Sequence, residues 1–277
     1  MSIKITPIYT PKLPDPMRIA VFASGGGGNL VAAINASLKF PELLKVVLVV
    51  TDRFGIPAIE IAHKNKLKVI SYDFEKECGV WSLCKKNPAY TKRYIEKGIC
   101  FHNRILKDIR SFESGEDIKI DLIVLSYHRW IRGSLYTNFK DRMINQHAGD
   151  LTVMDRKNPK KRRYVGINPI YDALMDKVVN TRTTTFLVRD GYDDGEIICQ
   201  GPWVTYTQET QVTKKTAWSH EQKQKRESDW PSLTFALTEI AKGNFAITNK
   251  HHFDDRRKIM HKGKILPYGG VDLSKLK

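Results

Sequence analysis

The chain has 277 residues, 41% hydrophobic and 27% charged, a globular composition that excludes a disordered or collagen-like chain. A chain of this length buries roughly three quarters of its unfolded surface, so it needs no disulfide or metal staple. The 46 basic and 30 acidic residues leave a net charge of +16, which favours an anionic partner without choosing between nucleic acid, an acidic membrane surface and a phosphorylated or carboxylated small molecule.

Met1–Pro16 carries four prolines and lacks the apolar core of a signal peptide, so it reads as an extended N-terminal arm. No run approaches the ~18 apolar residues of a spanning helix, and no membrane association is expected. From Met17 onward, strand and helix patterns alternate, which predicts an α/β protein. Arg18–Ala23 is a short apolar strand ending at a glycine cluster. Asn29–Phe40 is a helix with Leu30, Ala33, Ile34 and Leu38 on one face. Lys45–Thr51 is β-branched and apolar, as for a strand buried on both sides. Ile56–Lys66 follows as a helix and Lys68–Ser71 as a strand.

Phe74–Lys119 is long, mixed and polar, with a helix predicted over Tyr90–Ser111. Ile120–Ser126 is a buried strand and Arg142–Asn145 a short one. Asp150–Arg163 is a basic loop, followed by a helix near Ile167–Lys177. Two β-rich runs, Thr183–Arg189 and Glu196–Tyr206, flank the turn Asp190-Gly191-Tyr192-Asp193-Asp194-Gly195. Thr210–Lys242 is helical in two pieces broken at Pro231, and the tail from Phe245 reads as short strands with turns.

Three segments carry candidate chemistry. Ser24-Gly25-Gly26-Gly27-Gly28-Asn29 joins the first strand to the first helix. Its glycines allow a close backbone approach, and the helix start offers unpaired N–H groups, a combination that suits a phosphate. The spacing is not GxGxxG and no GK[ST] follows, so the dinucleotide fingerprint and the NTP-binding loop are both excluded; a flexible turn is the alternative. Asn145-Gln146-His147 ends a strand, where residues two apart share a face and set an amide donor beside a proton shuttle. Taken alone, the pattern also fits a packed or solvated histidine. The acidic turn from Asp190 to Asp194 can orient a histidine, although such turns also occur without function.

Cys78, Cys84, Cys100 and Cys199 form no CxxC pair, so a reduced, cytoplasmic setting is expected, with Cys199 a packed thiol. His251, His252 and His261 have no cysteine or carboxylate at ligand spacing. They read as surface residues, and no metal is expected.

Together and in this order, the segments resemble the formyltransferases that use 10-formyltetrahydrofolate, most closely the glycinamide ribonucleotide transformylase branch. The likeness runs through Ser24–Leu30, Asp52-Arg53-Phe54-Gly55-Ile56-Pro57-Ala58, and His128-Arg129-Trp130-Ile131 in place of a Met-Arg-Ile loop. It continues through Asn145-Gln146-His147, Tyr164-Val165-Gly166 to Ala173-Leu174, and Asp190, Asp193, Gly195 and Ile197-Ile198. It implies a single domain over 17–277 with the formyltransferase fold: a doubly wound, mostly parallel, Rossmann-like sheet with helices on both faces. The activity it implies is formyl transfer to the amine of glycinamide ribonucleotide in purine biosynthesis. Asn145, His147 and Asp193 would be catalytic. Gly27, Gly28, Asn29 and Glu227 would bind the phosphorylated amine. His128, Arg129, Trp130, Ile131, Asp190, Gly191 and Tyr192 would bind the folate co-substrate, in a monomer or homodimer.

The chain also departs from that pattern. Ala148-Gly149-Asp150-Leu151-Thr152 stands where the family has Pro-Ser-Leu-Leu-Pro. Six basic residues lie between Arg156 and Arg163, and the loop at Ser126-Tyr127-His128 is one residue short. The family's Glu-His-x-x-Tyr-Pro element is only echoed by Glu227-Ser228-Asp229-Trp230-Pro231. Two other readings stay open. One is a formyltransferase for an amino sugar nucleotide or an aminoacyl-tRNA. The other is a non-catalytic relative that binds nucleic acid through the basic loop with Lys214, Lys215, Lys223, Lys225 and Arg226, although a solvated helix face is the preferred account of those charges.

Overall fold

The structure, a computed structural model, describes residues 2–207 and 211–276. Its strands are β1 (Ile5–Pro7), β2 (Met17–Ala23), β3 (Leu44–Thr51), β4 (Lys68–Ser71), β5 (Leu122–Ser126), β6 (Met143–His147), β7 (Asn180–Thr181), β8 (Thr184–Leu187), β9 (Ile197–Gln200), β10 (Val204–Thr205), β11 (Phe245–His251), β12 (Arg257–His261), β13 (Lys264–Ile265) and β14 (Val271–Asp272). Its α-helices are α1 (Gly28–Lys39), α2 (Pro57–Lys64), α3 (Phe74–Cys78), α4 (Trp81–Cys84), α5 (Pro88–Gly115), α6 (Gly133–Phe139), α7 (Pro169–Met175), α8 (Lys214–Gln224) and α9 (Trp230–Ala241). The fold class is α/β, as the alternation predicts. The chain divides into two compact units, one of Met17–Ile34 with Lys45–Met143, the other of Met1–Pro16, Asn35–Leu44 and Ile144–Lys277.

In the first unit, β2 and β5 run parallel with Ile19 opposite Leu122 and Ala23 opposite Ser126, and β3 and β4 are parallel too. Both faces of β2 and β5 are covered, which explains their unbroken apolar sequence. Leu30, Ala33 and Ile34 of α1 are buried as expected, whereas Leu38 is 73% exposed; the last turn packs through Ala36 instead. The helix expected over Tyr90–Ser111 is longer, at Pro88–Gly115. Pro88 opens it after Asn87, whose side chain caps the N–H groups of Ala89 and Tyr90. Its buried face holds Tyr94, Gly98, Phe101, His102, Ile105 and Ile109, a run of three- and four-residue steps.

In the second unit, β6 pairs antiparallel with β8, so that Asn145 faces Phe186 and His147 faces Thr184, and β8 pairs antiparallel with β9. β9 and β14 are parallel. A separate antiparallel sheet runs β1-β11-β12-β13, and its first strand comes from the N-terminal arm. The expected start of a helix at Thr210 lies outside the described residues; the helix observed begins at Lys214, behind a capping box made by Thr213 and Thr216. Pro231 does not interrupt the path as expected. A π-helical turn, Lys225–Asp229, leads into α9, and Pro231 sits in the first turn of α9, where its missing N–H costs little.

His261 corrects a second expectation. It is not a solvated surface residue: its ring stacks on Phe245 at 4.5 Å, and Nε2 lies 2.8 Å from Glu239 Oε2. Among the described residues no group of three or more His, Cys, Asp or Glu could hold a metal ion, and no helix is long and apolar enough to cross a membrane. All four cysteines are free thiols, and burial pushes Cys199 up to about 12.

Candidate active site

Strand alternation sends Asn145 and His147 to one face of β6 and Gln146 to the other. Gln146 anchors the strand from behind. Its Nε2 donates to the Asp229 carbonyl at 2.6 Å and to Ser232 Oγ at 2.9 Å, both at the start of α9. On the front, Asn145 Oδ1 accepts the Gln146 N–H at 2.9 Å, which leaves the amide NH₂ to donate to an incoming oxygen. His147 is buried, with Nδ1 3.4 Å from Asp193 Oδ1 and Nε2 2.7 Å from the Tyr164 carbonyl. A carbonyl can only accept, so Nε2 carries a proton in this contact. Gly149 makes the contact possible, since a Cβ there would lie 2.7 Å from Tyr164 O and 3.0 Å from His147 Nε2.

Asp193 reaches the imidazole from the turn 190–195. Its backbone is left-handed, with φ 45°, and Oδ2 accepts the N–H of Gly166 at 2.7 Å. The turn folds tightly on itself: a Cβ at Gly191 would meet the Asp194 side chain at 2.5 Å. Asp194 points elsewhere, to Arg256, whose Nε lies 2.6 Å away. Asp190 and Tyr192, two of the expected folate contacts, stand exposed on the same turn.

Glu227 is exposed on the π-helical turn, 4.0 Å from Lys223 Nζ. Two residues on, Asp229 is buried and bonded to the Thr183 hydroxyl. Burial pushes its carboxyl up to about 7, with the threonine bond opposing. A buried chain of polar groups continues from it. Gln224 Nε2 donates to Thr183 Oγ1 at 3.0 Å and to the Ala148 carbonyl, next to His147, at 2.8 Å.

The other compact unit holds the glycine loop and the loop after β5. A Cβ on Gly25 or Gly26 would meet nothing within 4 Å. Gly27 is different: its φ is +74°, and a Cβ would lie 3.0 Å from Ile61 Cδ1 and 3.2 Å from Ala58 Cα, so glycine is required there by conformation and by packing on α2. The first N–H groups of α1 lack helical partners by construction. Ser24 Oγ accepts the His128 N–H at 2.9 Å, which ties the two loops together.

Within His128–Ile131 the side chains divide. Arg129 turns inward, with Nε 2.5 Å from Asp52 Oδ2 and Nη2 2.8 Å from Glu75 Oε1, and Ile131 is buried. Burial pushes the Asp52 carboxyl up, but hydrogen bonds from Arg53, Arg129 and Ser24 outweigh it and hold it below the usual range. His128 and Trp130 remain exposed, with Arg132 over the Trp130 ring at 4.6 Å. Arg129 and Ile131 thus brace the loop, and His128 and Trp130 are its accessible side chains.

Sequence reasoning singled out Asn145, His147 and Asp193, and the last two meet. It named Tyr164 and Gly166 only as part of the family likeness and Gly149 only as part of a departure from it, and it assigned none of them, nor Arg162, to the site. Arg162 had only the signal of a basic run, which ordinarily marks a solvated surface.

A family model described as formyl transferase matches residues 17–225. Among solved structures, a phosphoribosylglycinamide formyltransferase from Coxiella burnetii aligns at 20% identity over 93% of this chain and 99% of that one, with a TM-score of 0.65. A glycinamide ribonucleotide transformylase 1 from Geobacillus kaustophilus aligns at 24% identity over 81% and 100%, with a TM-score of 0.56. A formyltetrahydrofolate deformylase from Pseudomonas putida KT2440 aligns at 16% identity over 90% and 71%, with a TM-score of 0.58. No curated protein sequence matches the chain. At these identities the structural likeness speaks for the fold.

Proposed function

The chain belongs to the formyl transferase family of enzymes, and from that premise we propose that it transfers a formyl group from 10-formyltetrahydrofolate to the amine of glycinamide ribonucleotide, a step of purine biosynthesis. The observation that carries this reading is the contact of Asp193 with His147, on the strand that also bears Asn145. The choice of acceptor is supported by the names of the Coxiella and Geobacillus neighbours.

The substrate amine attacks the formyl carbon, the carbonyl oxygen becomes an oxyanion, and the bond from that carbon to N10 of the folate then breaks. The Asn145 NH₂ donates to the oxyanion, a contact worth roughly 3–4 kcal/mol in the transition state. His147 carries the proton released by the amine to N10, and Asp193 orients the ring. In the structure His147 Nε2 is bonded to the Tyr164 carbonyl, so its use on substrate requires that bond to be exchanged. The N–H groups of Gly27, Gly28 and Asn29 donate to the phosphate, and the Glu227 carboxylate accepts from a hydroxyl or amine of the same substrate. The loop His128–Ile131 and the turn Asp190–Tyr192 hold the folate, Arg129 and Ile131 by bracing their loop rather than by touching the ligand.

The Pseudomonas neighbour favours a second reading, hydrolysis of 10-formyltetrahydrofolate to formate, because a histidine–aspartate pair serves water as well as an amine. The purified protein should be given 10-formyltetrahydrofolate with a panel of amines: glycinamide ribonucleotide, an amino sugar nucleotide and an aminoacyl-tRNA. Tetrahydrofolate release that depends on glycinamide ribonucleotide supports the reading. Release that needs no amine, or that responds to another acceptor, replaces it.

A further inference from the structure

Arg162 differs from the other basic residues of its loop in being only 6% exposed. Its guanidinium donates through Nη1 to the Asp193 carbonyl and through Nη2 to the Gly195 carbonyl, each at 2.7 Å, and through Nε to the Tyr268 hydroxyl at 3.1 Å. A buried guanidinium is costly unless its donors are satisfied, and here two of the three contacts go to backbone oxygens two residues apart. Those oxygens lie on the turn that carries Asp193, where φ is 45° at Asp193 and 131° at Gly195. An aspartate in the left-handed region needs outside support to stay there. The fork of a guanidinium reaches both carbonyls at once; a single ammonium does not offer that planar pair of donors.

The segment that supplies Arg162 also touches the site directly. Two residues on, the Tyr164 carbonyl meets His147 Nε2, and four residues on, the Gly166 N–H bonds Asp193 Oδ2. Arg256 holds the neighbouring Asp194 by its side chain and leaves the Asp193 carboxylate to face His147.

We propose that Arg162 is a positioning residue for formyl transfer: by gripping the backbone of Asp193 and Gly195 it fixes the turn that aims the Asp193 carboxylate at His147. The role rests on the assignment of Asp193 and His147 made above.

The test compares Arg162→Met, Arg162→Lys, Asp193→Asn and the double variant Arg162→Met/Asp193→Asn, using 10-formyltetrahydrofolate and glycinamide ribonucleotide. Arg162→Met should lower kcat about ten- to a hundredfold, the scale of a misplaced catalytic group, with KM changed far less. Arg162→Lys should fall between it and the wild type. The double variant should be no slower than Asp193→Asn alone, because Arg162 acts through Asp193. A readout independent of turnover is hydrogen exchange at the Gly166 amide, which Arg162→Met should accelerate; the amide oxygen of Asp193→Asn still accepts that N–H.

An unchanged kcat in folded Arg162→Met, losses that multiply in the double variant, or a Gly166 amide as protected in Arg162→Met as in the wild type each overturn the proposal. Should Arg162→Met fail to fold, Arg162→Lys, which keeps the charge but not the paired donors to both carbonyls, decides by the same kcat and exchange criteria. If Asp193→Asn alone keeps full activity, the catalytic assignment fails first and takes the positioning role with it.

Discussion

His147 and Asp193 face each other at 3.4 Å, Nδ1 to Oδ1, while the opposite ring nitrogen is bonded to the Tyr164 carbonyl at 2.7 Å. With Nε2 donating to that carbonyl, the other ring nitrogen is the one turned to the carboxylate, so the ring is held from both sides and its orientation depends on Asp193. His147→Ala and Asp193→Asn should therefore each lower kcat at least about a hundredfold. Steady-state kinetics of the double variant should show little further loss, since the two act as a unit. Losses that multiply would mean that the residues work separately.

Asp194 is adjacent in sequence yet serves a different partner, Arg256, with Nη2 at 2.5 Å. Asp194→Asn should leave kcat within a few-fold of wild type, and the half-exposed ion pair is worth about 1 kcal/mol of stability or less. Parallel kinetics and thermal melts separate the two aspartates. A collapse of kcat in Asp194→Asn comparable with that in Asp193→Asn would move the catalytic carboxylate by one residue.

The glycine loop gives a paired test. Gly27→Val forces a branched side chain onto φ +74° and against Ala58 and Ile61, so it should destabilise the fold by roughly 1–3 kcal/mol. Gly25→Ala meets nothing within 4 Å and should fold normally. If the loop holds a phosphate, Gly25→Ala should raise KM for glycinamide ribonucleotide with little change in Tm. An unaltered KM in Gly25→Ala would remove that position from the phosphate contact.

Asp229 makes a prediction about pH. Burial raises its carboxyl from the usual range to about 7, so the folded state holds a proton that the unfolded chain releases near pH 4. Its contribution is full below pH 4 and is lost as pH rises toward 7; about three pH units at 1.36 kcal/mol each set an upper limit on the order of 4 kcal/mol. Asp229→Asn keeps the uncharged shape and should flatten this fall in stability, measured as Tm from pH 4 to pH 8. A variant that reproduces the wild-type slope would show that the carboxyl does not titrate in that window.

The sequence made some parts of the molecule legible and hid others for identifiable reasons. β2, β3 and β5 read as strands because both faces are largely covered and their sequences are mainly apolar. Asn145 and His147 were readable because strand alternation alone puts them on one face. Asp193 was reachable only through the family pattern, since two adjacent aspartates look alike until Arg256 claims one of them. The helices α3 and α4 have five and four residues, too few turns to leave a periodic pattern. Arg162 was hidden among basic neighbours, because its burial depends on carbonyls some thirty residues later in the chain. His261 was hidden likewise, its partner Glu239 lying on α9.

The most direct test of the central claim follows the formyl carbon. The enzyme is incubated with 10-formyltetrahydrofolate labelled in the formyl group, with and without glycinamide ribonucleotide, and the label is traced to formate or to N-formylglycinamide ribonucleotide. Label that moves to the ribonucleotide in the wild type, and in neither product with His147→Ala, is the predicted result. Label that appears as formate at the same rate whether or not the amine is present would contradict the account and make the chain a hydrolase.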